Sequence, residues 1–535
     1  MNPLHWHPEH TPAMRVEAVY GDRAVRCFIE RPESMHSLLE RAVAVHGDSD
    51  AVICSALHWS YRELDAEVAR IAAGLAAQGV AAGERVALFM GNQPAFIAVL
   101  FALQRLGAIA VPIGEREQKP GLAYMLAQCS ACAIVFDAAL AERIPDAADV
   151  PALRLRIAAG GAVAGALALG ALGASSEAPA AIAAVQEQDT ALILYTSGTT
   201  GRPKGAMLTH INVAHSVRHY EACMGLRSSD RSALAVPASH VTGLIALIAA
   251  MVHVGGAIVV LPEFKAASFL QTMEAERITY TLMVPAMYTL CLMHASFAST
   301  NLSHWRIGGY GGAPMPVSVI DTLGEQLPGL TLINAYGATE TTSPTTMMPA
   351  GLTRGHADTV GVPLPCADVR VMDAEGRELP TGDQGELWIS GPMVVPGYWD
   401  NPQATHASFT GGYWHSGDMG SVDAQGFVRL FDRKKDMLNR GGFKVYSVEV
   451  ENALMALPGV VEAAIVGKPC PVLGERVHAF IHAPGLAHDD EAVRAHCRAQ
   501  LTDYKVPETI TWSDSPLPRN SGGKLLKRSL RDQIV

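Results

Sequence analysis

Short apolar runs alternate with longer segments whose apolar residues recur at helical spacing through the first four hundred positions. Arg85-Val86-Ala87-Leu88-Phe89-Met90, Ala108-Ile109-Ala110-Val111-Pro112-Ile113 and Ala133-Ile134-Val135-Phe136 each read as a buried strand, and Ala95 to Leu106 between the first two reads as a helix. This alternation predicts βαβ units and largely parallel, layered sheets. Ala191 to Leu194 and Leu330 to Ile333 are further short apolar runs of the strand type. Val241 to Leu261 carries no formal charge, but Gly255-Gly256 divides it. A buried helix followed by the strand Ala257 to Leu261 is therefore predicted, and no membrane span. Ala158 to Ala184 is rich in alanine and predicts a surface connection. Near residue 433 the texture changes. Gly426 to Phe431 reads as a strand, and Asp432-Arg433-Lys434-Lys435-Asp436 as an exposed charged hinge. A helix over Val448–Leu457, strands over Val461–Val466 and Val477–His482, and a helix over Asp490–Leu501 then predict a small α/β domain with its own core.

At 535 residues the chain is too long for one core. Hydrophobic residues at 49% and charged residues at 17% describe a well-buried globular protein, and the formal net charge of −11 argues against a nucleic-acid surface. A polyanionic ligand must therefore be met by local basic groups such as Lys204. The nine cysteines show no framework spacing. Cys129 and Cys132 form a lone C-x-x-C pair, so reduced thiols in a cytoplasmic protein are expected in place of a zinc or redox site. The first residues, Met1 to His7, lack a basic region followed by an apolar core, so no secretory signal is expected.

The densest chemistry lies in Tyr195-Thr196-Ser197-Gly198-Thr199-Thr200-Gly201-Arg202-Pro203-Lys204-Gly205, directly after an apolar run. Its glycines permit positive φ and close approach of backbone N–H groups to an anion, its hydroxyls donate, and Lys204 adds a mobile charge. The spacing is not that of a Walker loop. The whole string resembles the phosphate loop of the adenylate-forming superfamily, which includes acyl-CoA synthetases, luciferases and peptide-synthetase adenylation domains.

Other segments resemble that family in the same order along the chain. Asn334-Ala335-Tyr336-Gly337-Ala338-Thr339-Glu340 would otherwise be a strand-to-loop junction. It resembles the aromatic-Gly-x-Thr-Glu motif, which implies Tyr336 stacking on adenine, Thr339 at the α-phosphate and Glu340 holding Mg2+. Gly308-Gly309-Tyr310-Gly311-Gly312-Ala313-Pro314 resembles the segment that lies against adenine and lines the acyl pocket with main chain. Trp414-His415-Ser416-Gly417-Asp418, by itself a turn, resembles the motif whose aspartate binds both ribose hydroxyls. Arg433 matches the arginine that assists it, and Lys435 the hinge. Asn439 to Glu451, with Gly441, Gly442 and Phe443, resembles the segment that shapes the pantetheine tunnel. Asn520-Ser521-Gly522-Gly523-Lys524-Leu525 resembles the motif whose lysine contacts carboxylate and α-phosphate, so Lys524 is chosen over Lys527. Val236 to Leu244 resembles the substrate wall, with His240 either a wall residue or a hydrogen-bonded core residue. Here no aspartate stands ready for an α-ammonium, and Ala238-Ser239 leaves the pocket's shape open.

The resemblance runs from about residue 35 to the end. It implies an α/β fold with a large N-terminal domain (1–433) of layered α/β sheets plus a β-barrel-like subdomain, and a small mobile C-terminal α/β domain (434–535). It implies a carboxylic acid–CoA ligase that forms acyl-AMP from ATP, releases pyrophosphate, and passes the acyl group to coenzyme A. The implied nucleotide site comprises Thr196, Ser197, Gly198, Thr199, Thr200, Lys204, Gly312, Ala313, Pro314, Asn334, Tyr336, Gly337, Thr339, Asp418, Arg433 and Lys524. The acyl pocket would involve His240, Gly309, Tyr310, Gly311 and Gly337. ATP, coenzyme A and a small carboxylic acid are the expected partners, with Mg2+ as cofactor and neither nucleic acid nor membrane. A homodimer and acetylation of Lys524 are further open expectations. A stand-alone adenylation enzyme loading a carrier protein, a luciferase-like oxygenase, and a non-catalytic nucleotide-binding protein are the alternatives.

Overall fold

The computed structural model describes residues 6, 11–173, 180–196, 202–441, 443–519 and 525–534. The chain forms two units. One comprises Met1–Val369, Ile389–His415 and Gln425–Phe427; the other comprises Arg370–Trp388, Ser416–Ala424 and Val428–Val535.

The larger unit holds two large sheets beside a two-stranded one, in which Met14–Val19 pairs with Arg23–Phe28. The first runs, edge to edge, through Lys204–Thr209, Thr190–Thr196, Ile109–Pro112, Arg85–Phe89, Ala133–Asp137, Leu155–Ala159 and Leu167–Ala168. It is parallel except at the edge where Thr190–Thr196 and Lys204–Thr209 pair antiparallel. The second has nine strands, in the order Val362–Pro363, Ser343–Met347, Thr331–Ala338, Ile307–Tyr310, Tyr280–Met283, Arg231–Leu234, Ala257–Val260, Asp50–Cys54 and Leu57–Ser60. Its interior pairs are parallel and both of its edges antiparallel. The predicted alternation of strands and helices is thus present, with each parallel pair needing a crossover element.

Helix Pro94–Arg105 buries every residue from Phe96 to Gln104. A helix apolar on all sides needs partners on all sides. It meets Arg85–Phe89 and Ile109–Pro112 of the first sheet and Asp50–Cys54 of the second. Helix Tyr61–Ala77 is opened by Ser60, whose hydroxyl accepts from Glu63 N while the Glu63 carboxylate accepts from Ser60 N. The uncharged stretch after Val241 forms the π-helix Thr242–Ala249 and the α-helix Ala250–Val254, closed by Gly255 in the left-handed region, followed by the strand Ala257–Val260. Leu244 to Val252 are all buried. Among the described residues no helix is long and apolar enough to cross a membrane. Part of the alanine-rich connection joins the first sheet, as the strands Leu155–Ala159 and Leu167–Ala168.

In the smaller unit, five strands order as Phe443–Val445, Leu438–Arg440, Gly474–His482 and Glu462–Cys470, with Thr509–Ser513 parallel to Gly474–His482. Helices Ser447–Met455 and Asp490–Arg498 contribute Val450, Leu454, Val493 and Cys497 to its own core, together with Leu438, Ile465, Val477 and Ile481. Cys129 and Cys132 are buried free thiols, and burial pushes Cys129 up to about 11. Among the described residues no cluster of His, Cys, Asp or Glu could hold a metal ion by itself.

Candidate functional site

In the larger unit the phosphate-loop string joins two antiparallel strands, with Thr196 opposite Lys204 across the pair. Ser197, Gly198, Thr199, Thr200 and Gly201 lie outside the described residues. The Thr196 hydroxyl donates to the buried Glu340 carboxylate at 3.5 Å. Lys204 Nζ stands 5.0 Å from the ring centroid of Tyr398, and the Tyr398 hydroxyl donates to Glu340 Oε1 at 2.9 Å. Burial, and then the charge of Glu340, push the Tyr398 phenol far above its ordinary range, so it stays protonated and acts as a donor. Sequence reasoning brought Thr196, Lys204 and Glu340 into one site but missed Tyr398. Its only local signal is Pro396-Gly397-Tyr398-Trp399, a glycine followed by two aromatics.

Tyr336 and Gly337 belong to the strand Thr331–Ala338, which outlasts the apolar run because its second half pairs with Ser343–Met347. A Cβ at Gly337 would lie 1.5 Å from the Ser343 carbonyl oxygen, so the chain reversal itself demands glycine there. Thr339 opens a 3-10 turn over Thr339–Thr341, and Thr342 and Ser343 follow at φ 52° and 97°. Left-handed backbone in such residues costs about 1–3 kcal/mol each and persists only where neighbours impose it. Helix His210–Met224 supplies them: Ser216 Oγ donates to the Thr342 carbonyl at 2.7 Å, and Tyr220 Oη shares a 2.6 Å hydrogen bond with Ser343 Oγ. The Glu340 carbonyl accepts from Val395 N at 2.9 Å. Glu340 is thus held at both backbone and side chain.

Tyr336 is half-buried against Ile389, Met393, Val394 and Trp414. Asn334 is buried and donates to the Thr359 carbonyl at 3.3 Å. Gly309 and Tyr310 form part of the buried strand Ile307–Tyr310 and not a loop. A Cβ at Gly311 would come within 2.3 Å of the Ala335 carbonyl, and Gly312 has φ 77°, so the loop proper begins there, with Ala313 and Pro314 exposed after it. His240 is exposed at the start of the π-helical segment, where its Nδ1 accepts from Thr242 N at 3.4 Å.

In the smaller unit Asp418 sits within the strand Tyr413–Val422, not a turn, although the glycine before it, Gly417, takes φ 69°. Asp418 is 7% exposed and stands opposite Arg433 on the neighbouring strand, with Arg433 Nε 2.9 Å from Asp418 Oδ1. Asp418 N donates to Ser416 Oγ, which donates to the Leu387 carbonyl. Lys434 pairs with Glu386 at 3.0 Å. Lys435 is exposed, and its carbonyl accepts from Arg531, whose guanidinium also pairs with Asp436 at 2.6 Å.

The expected hinge segment is not uniformly exposed. Asp432 is buried and accepts from both the backbone N–H and the hydroxyl of Ser447, at the N-terminus of helix Ser447–Met455. Lys527 donates to the same hydroxyl and pairs with Glu451 at 2.7 Å, the two side chains being 12% and 16% exposed. Burial raises the Asp432 and Glu451 carboxyls, and Lys527 pulls both back down. Lys524 lies outside the described residues, but Arg519 and Leu525 on either side of it are bridged. Gly441, at φ 60°, turns the hairpin between Leu438–Arg440 and Phe443–Val445; Gly442 lies outside the described residues. Phe443 is exposed and stacks on Tyr504 at 4.7 Å.

A carboxylate held by hydroxyls thus stands beside a lysine, next to the glycine- and threonine-rich string. The profile of the AMP-binding enzyme family covers residues 39–399, and that of the AMP-binding enzyme C-terminal domain covers 449–524. The chain belongs to the family of AMP-binding enzymes. Within it, the chain is 35% identical over 473 residues to a feruloyl-CoA synthase of an Amycolatopsis species, covering 88% of this chain and 93% of that one. It is 30% identical over 477 residues to the long-chain-fatty-acid–CoA ligase FadD13 of Mycobacterium tuberculosis, covering 89% and 93%. The anthranilate CoA ligase AuaEII, solved with anthranoyl-AMP, superposes with a TM-score of 0.85 at 26% identity, covering 94% of this chain and 97% of that one. This AMP-binding enzyme is thus an acid–thiol ligase of the acyl-CoA synthetase branch.

Proposed function

We propose that the chain activates an apolar monocarboxylic acid, aromatic before aliphatic, and transfers it to coenzyme A. The observation that carries the ATP part is the joining of Thr196, Lys204 and Glu340 around Tyr398. The preference for an aromatic acid rests on the 35% identity to a feruloyl-CoA synthase and on the likeness to an anthranilate CoA ligase. The lack of an aspartate in 236–244 removes any partner there for an α-ammonium.

The first half-reaction forms a bond between a carboxylate oxygen and the α-phosphorus of ATP and breaks the bond to the pyrophosphate oxygen. The second forms the bond from coenzyme A sulfur to the acyl carbon and releases AMP. Activation is needed because a carboxylate resists attack until one of its oxygens becomes a good leaving group. Lys204 would counter charge on the departing phosphates, and Thr339 would donate to the α-phosphate. Tyr336 would stack on adenine. Asp418, oriented by Arg433, would accept from the two ribose hydroxyls. Lys524 would bridge carboxylate and α-phosphate in the first step, and a mobile portion beginning at 434 would carry it away before the second, with Gly441, Gly442 and Phe443 then shaping the thiol's path.

Glu340 fits Mg2+ by its chemistry: a single, hydrogen-bonded carboxylate suits a metal that brings most of its ligands as phosphate and water. Bound there with ATP, Mg2+ would supply charge stabilisation on the phosphates. The test is a panel of carboxylic acids read by pyrophosphate release, with and without coenzyme A. Release with hydroxycinnamates and benzoates, rising with coenzyme A, is expected. Release only with long-chain acids would overturn the aromatic preference, and release indifferent to coenzyme A alongside acylation of a carrier protein would overturn the acceptor.

A further inference from the structure

The segment that carries Tyr398 is fastened with unusual thoroughness to the strand that carries Lys204. Met207 N donates to the Gly397 carbonyl at 3.1 Å, Trp399 N donates to the Gly205 carbonyl at 2.7 Å, and Tyr398 forms a β-bridge with Ala206 between them. On its other side Tyr398 N donates to Thr405 Oγ1 at 3.0 Å, and a Cβ at Gly397 would press to 2.5 Å of Thr405. The ring is 6% exposed and meets Phe409 edge-on at 5.9 Å. These backbone and packing contacts hold the residue in the core, but they do not call for its hydroxyl. A phenylalanine would fill the same space, yet the phenol reaches a buried carboxylate and the ring face reaches an ammonium.

Glu340 and Lys204 carry opposite charges in one neighbourhood. Paired directly, each would neutralise the other, and neither would be ready for a ligand. The Tyr398 hydroxyl instead occupies one Glu340 oxygen, and its ring face holds the Lys204 ammonium by cation–π attraction. Among the described residues no carboxylate pairs with Lys204. We propose that Tyr398 is a positioning residue that aims Glu340 at the metal and Lys204 at the phosphates of ATP while keeping the two apart. This rests on the ATP reading given above and adds to it a residue, with separate roles for its hydroxyl and its ring.

The two roles separate by substitution. Tyr398→Phe removes the hydroxyl and keeps the ring; Tyr398→Leu removes both. The readout is binding of Mn2+, by electron paramagnetic resonance, to protein saturated with α,β-methylene-ATP, which cannot be adenylated onto an acid. Binding of the same nucleotide in EDTA is followed by calorimetry. Tyr398→Phe should weaken Mn2+ about tenfold, as loss of a ligand's supporting hydrogen bond does elsewhere, and leave metal-free nucleotide affinity unchanged. Tyr398→Leu should also weaken metal-free nucleotide about two- to fivefold. Combining it with Lys204→Ala should then add nothing to the loss seen with Lys204→Ala alone. Unchanged Mn2+ affinity in Tyr398→Phe, or additive losses in the double variant, would overturn the proposal. Glu340→Gln separates this from the reading beneath it. If that variant binds Mn2+ as the parent does, the metal assignment to Glu340 fails and the role of Tyr398 fails with it. If Glu340→Gln loses Mn2+ and Tyr398→Phe does not, only the role of Tyr398 fails.

Discussion

Two lysines, one in each unit, show how the same side chain is set to different tasks. Lys527 is nearly buried and meets a carboxylate, Glu451, at 2.7 Å, with the Ser447 hydroxyl as its second partner. Its charge is matched inside the fold. Lys204 is half-buried against the face of Tyr398, 5.0 Å from the ring centroid, while the nearby carboxylate of Glu340 is held by hydroxyls. A ring face attracts an ammonium without neutralising it. The difference teaches that a lysine's surroundings, more than its neighbours in sequence, show whether its charge serves the fold or a ligand.

The contrast is broken most directly at Lys527. Lys527→Ala would leave Glu451 and Asp432 buried without their cation, and removing one partner of a buried pair costs about 3–5 kcal/mol. Urea denaturation followed by hydrogen exchange should show the smaller unit opening first, while the residual folded protein still releases pyrophosphate. Lost adenylation in a protein of parental stability would show that this lysine, too, meets ligand. Lys204→Ala should do the reverse. Pyrophosphate release should fall about a hundred- to thousandfold, as when one preorganised charge-stabilising donor is removed, with the urea midpoint unmoved. A lowered midpoint with normal turnover would reverse the assignments of the two lysines.

Lys435→Pro sharpens the comparison from outside both clusters. Fixing φ at an exposed position should leave acyl-AMP formation intact and slow thioester formation by about tenfold if movement there limits the second step. Equal loss of both steps, measured by separate pyrophosphate and thioester assays, would remove 435 as the hinge.

Neutral groups offer a further comparison of the two units. Burial lowers His36, His210 and His219 to about 4 and His215 to about 3 in the larger unit, whereas in the smaller one His478 falls to about 4. A depressed folded-state pKa means that the unfolded chain takes up a proton the fold refuses. The stability these groups contribute is therefore complete above about 6.5 and lost as pH falls towards 4, by at most about 1.4 kcal/mol per pH unit for each. Hydrogen exchange between pH 7 and 4.5 should show the larger unit loosening more. Equal loosening of both would contradict this count of buried histidines.

Much of this architecture was legible in the sequence because its elements are locally apolar. Helix Pro94–Arg105 and the strands Arg85–Phe89 and Ala133–Asp137 fall within a residue or two of their expected ranges. Departures occur where pairing partners are distant. Tyr336 and Gly337 read as a junction because nothing near them reveals the antiparallel return of Ser343–Met347. Asp418 read as a turn because a glycine at positive φ inside a strand looks, in sequence, like any other glycine. Asp432 read as part of an exposed hinge, and its burial depends on Ser447, which the charged run itself does not reveal. Tyr398 escaped notice because its partners, Lys204 and Glu340, are far away along the chain and its own neighbours carry no charge.

Helix Pro94–Arg105, enclosed on every face, has a consequence for how the protein is made. It leaves the ribosome early, and so does Asp50–Cys54, the strand it meets in the second sheet. That strand's parallel partner, Ala257–Val260, follows only after roughly two hundred more residues. At about 5–20 residues per second this wait lasts on the order of ten seconds or longer. Throughout it, the face of the helix that later meets the second sheet has no finished layer to cover it. The nascent chain must therefore pass through a prolonged sticky stage, in which a chaperone or slow local collapse stands in for a sheet not yet synthesised.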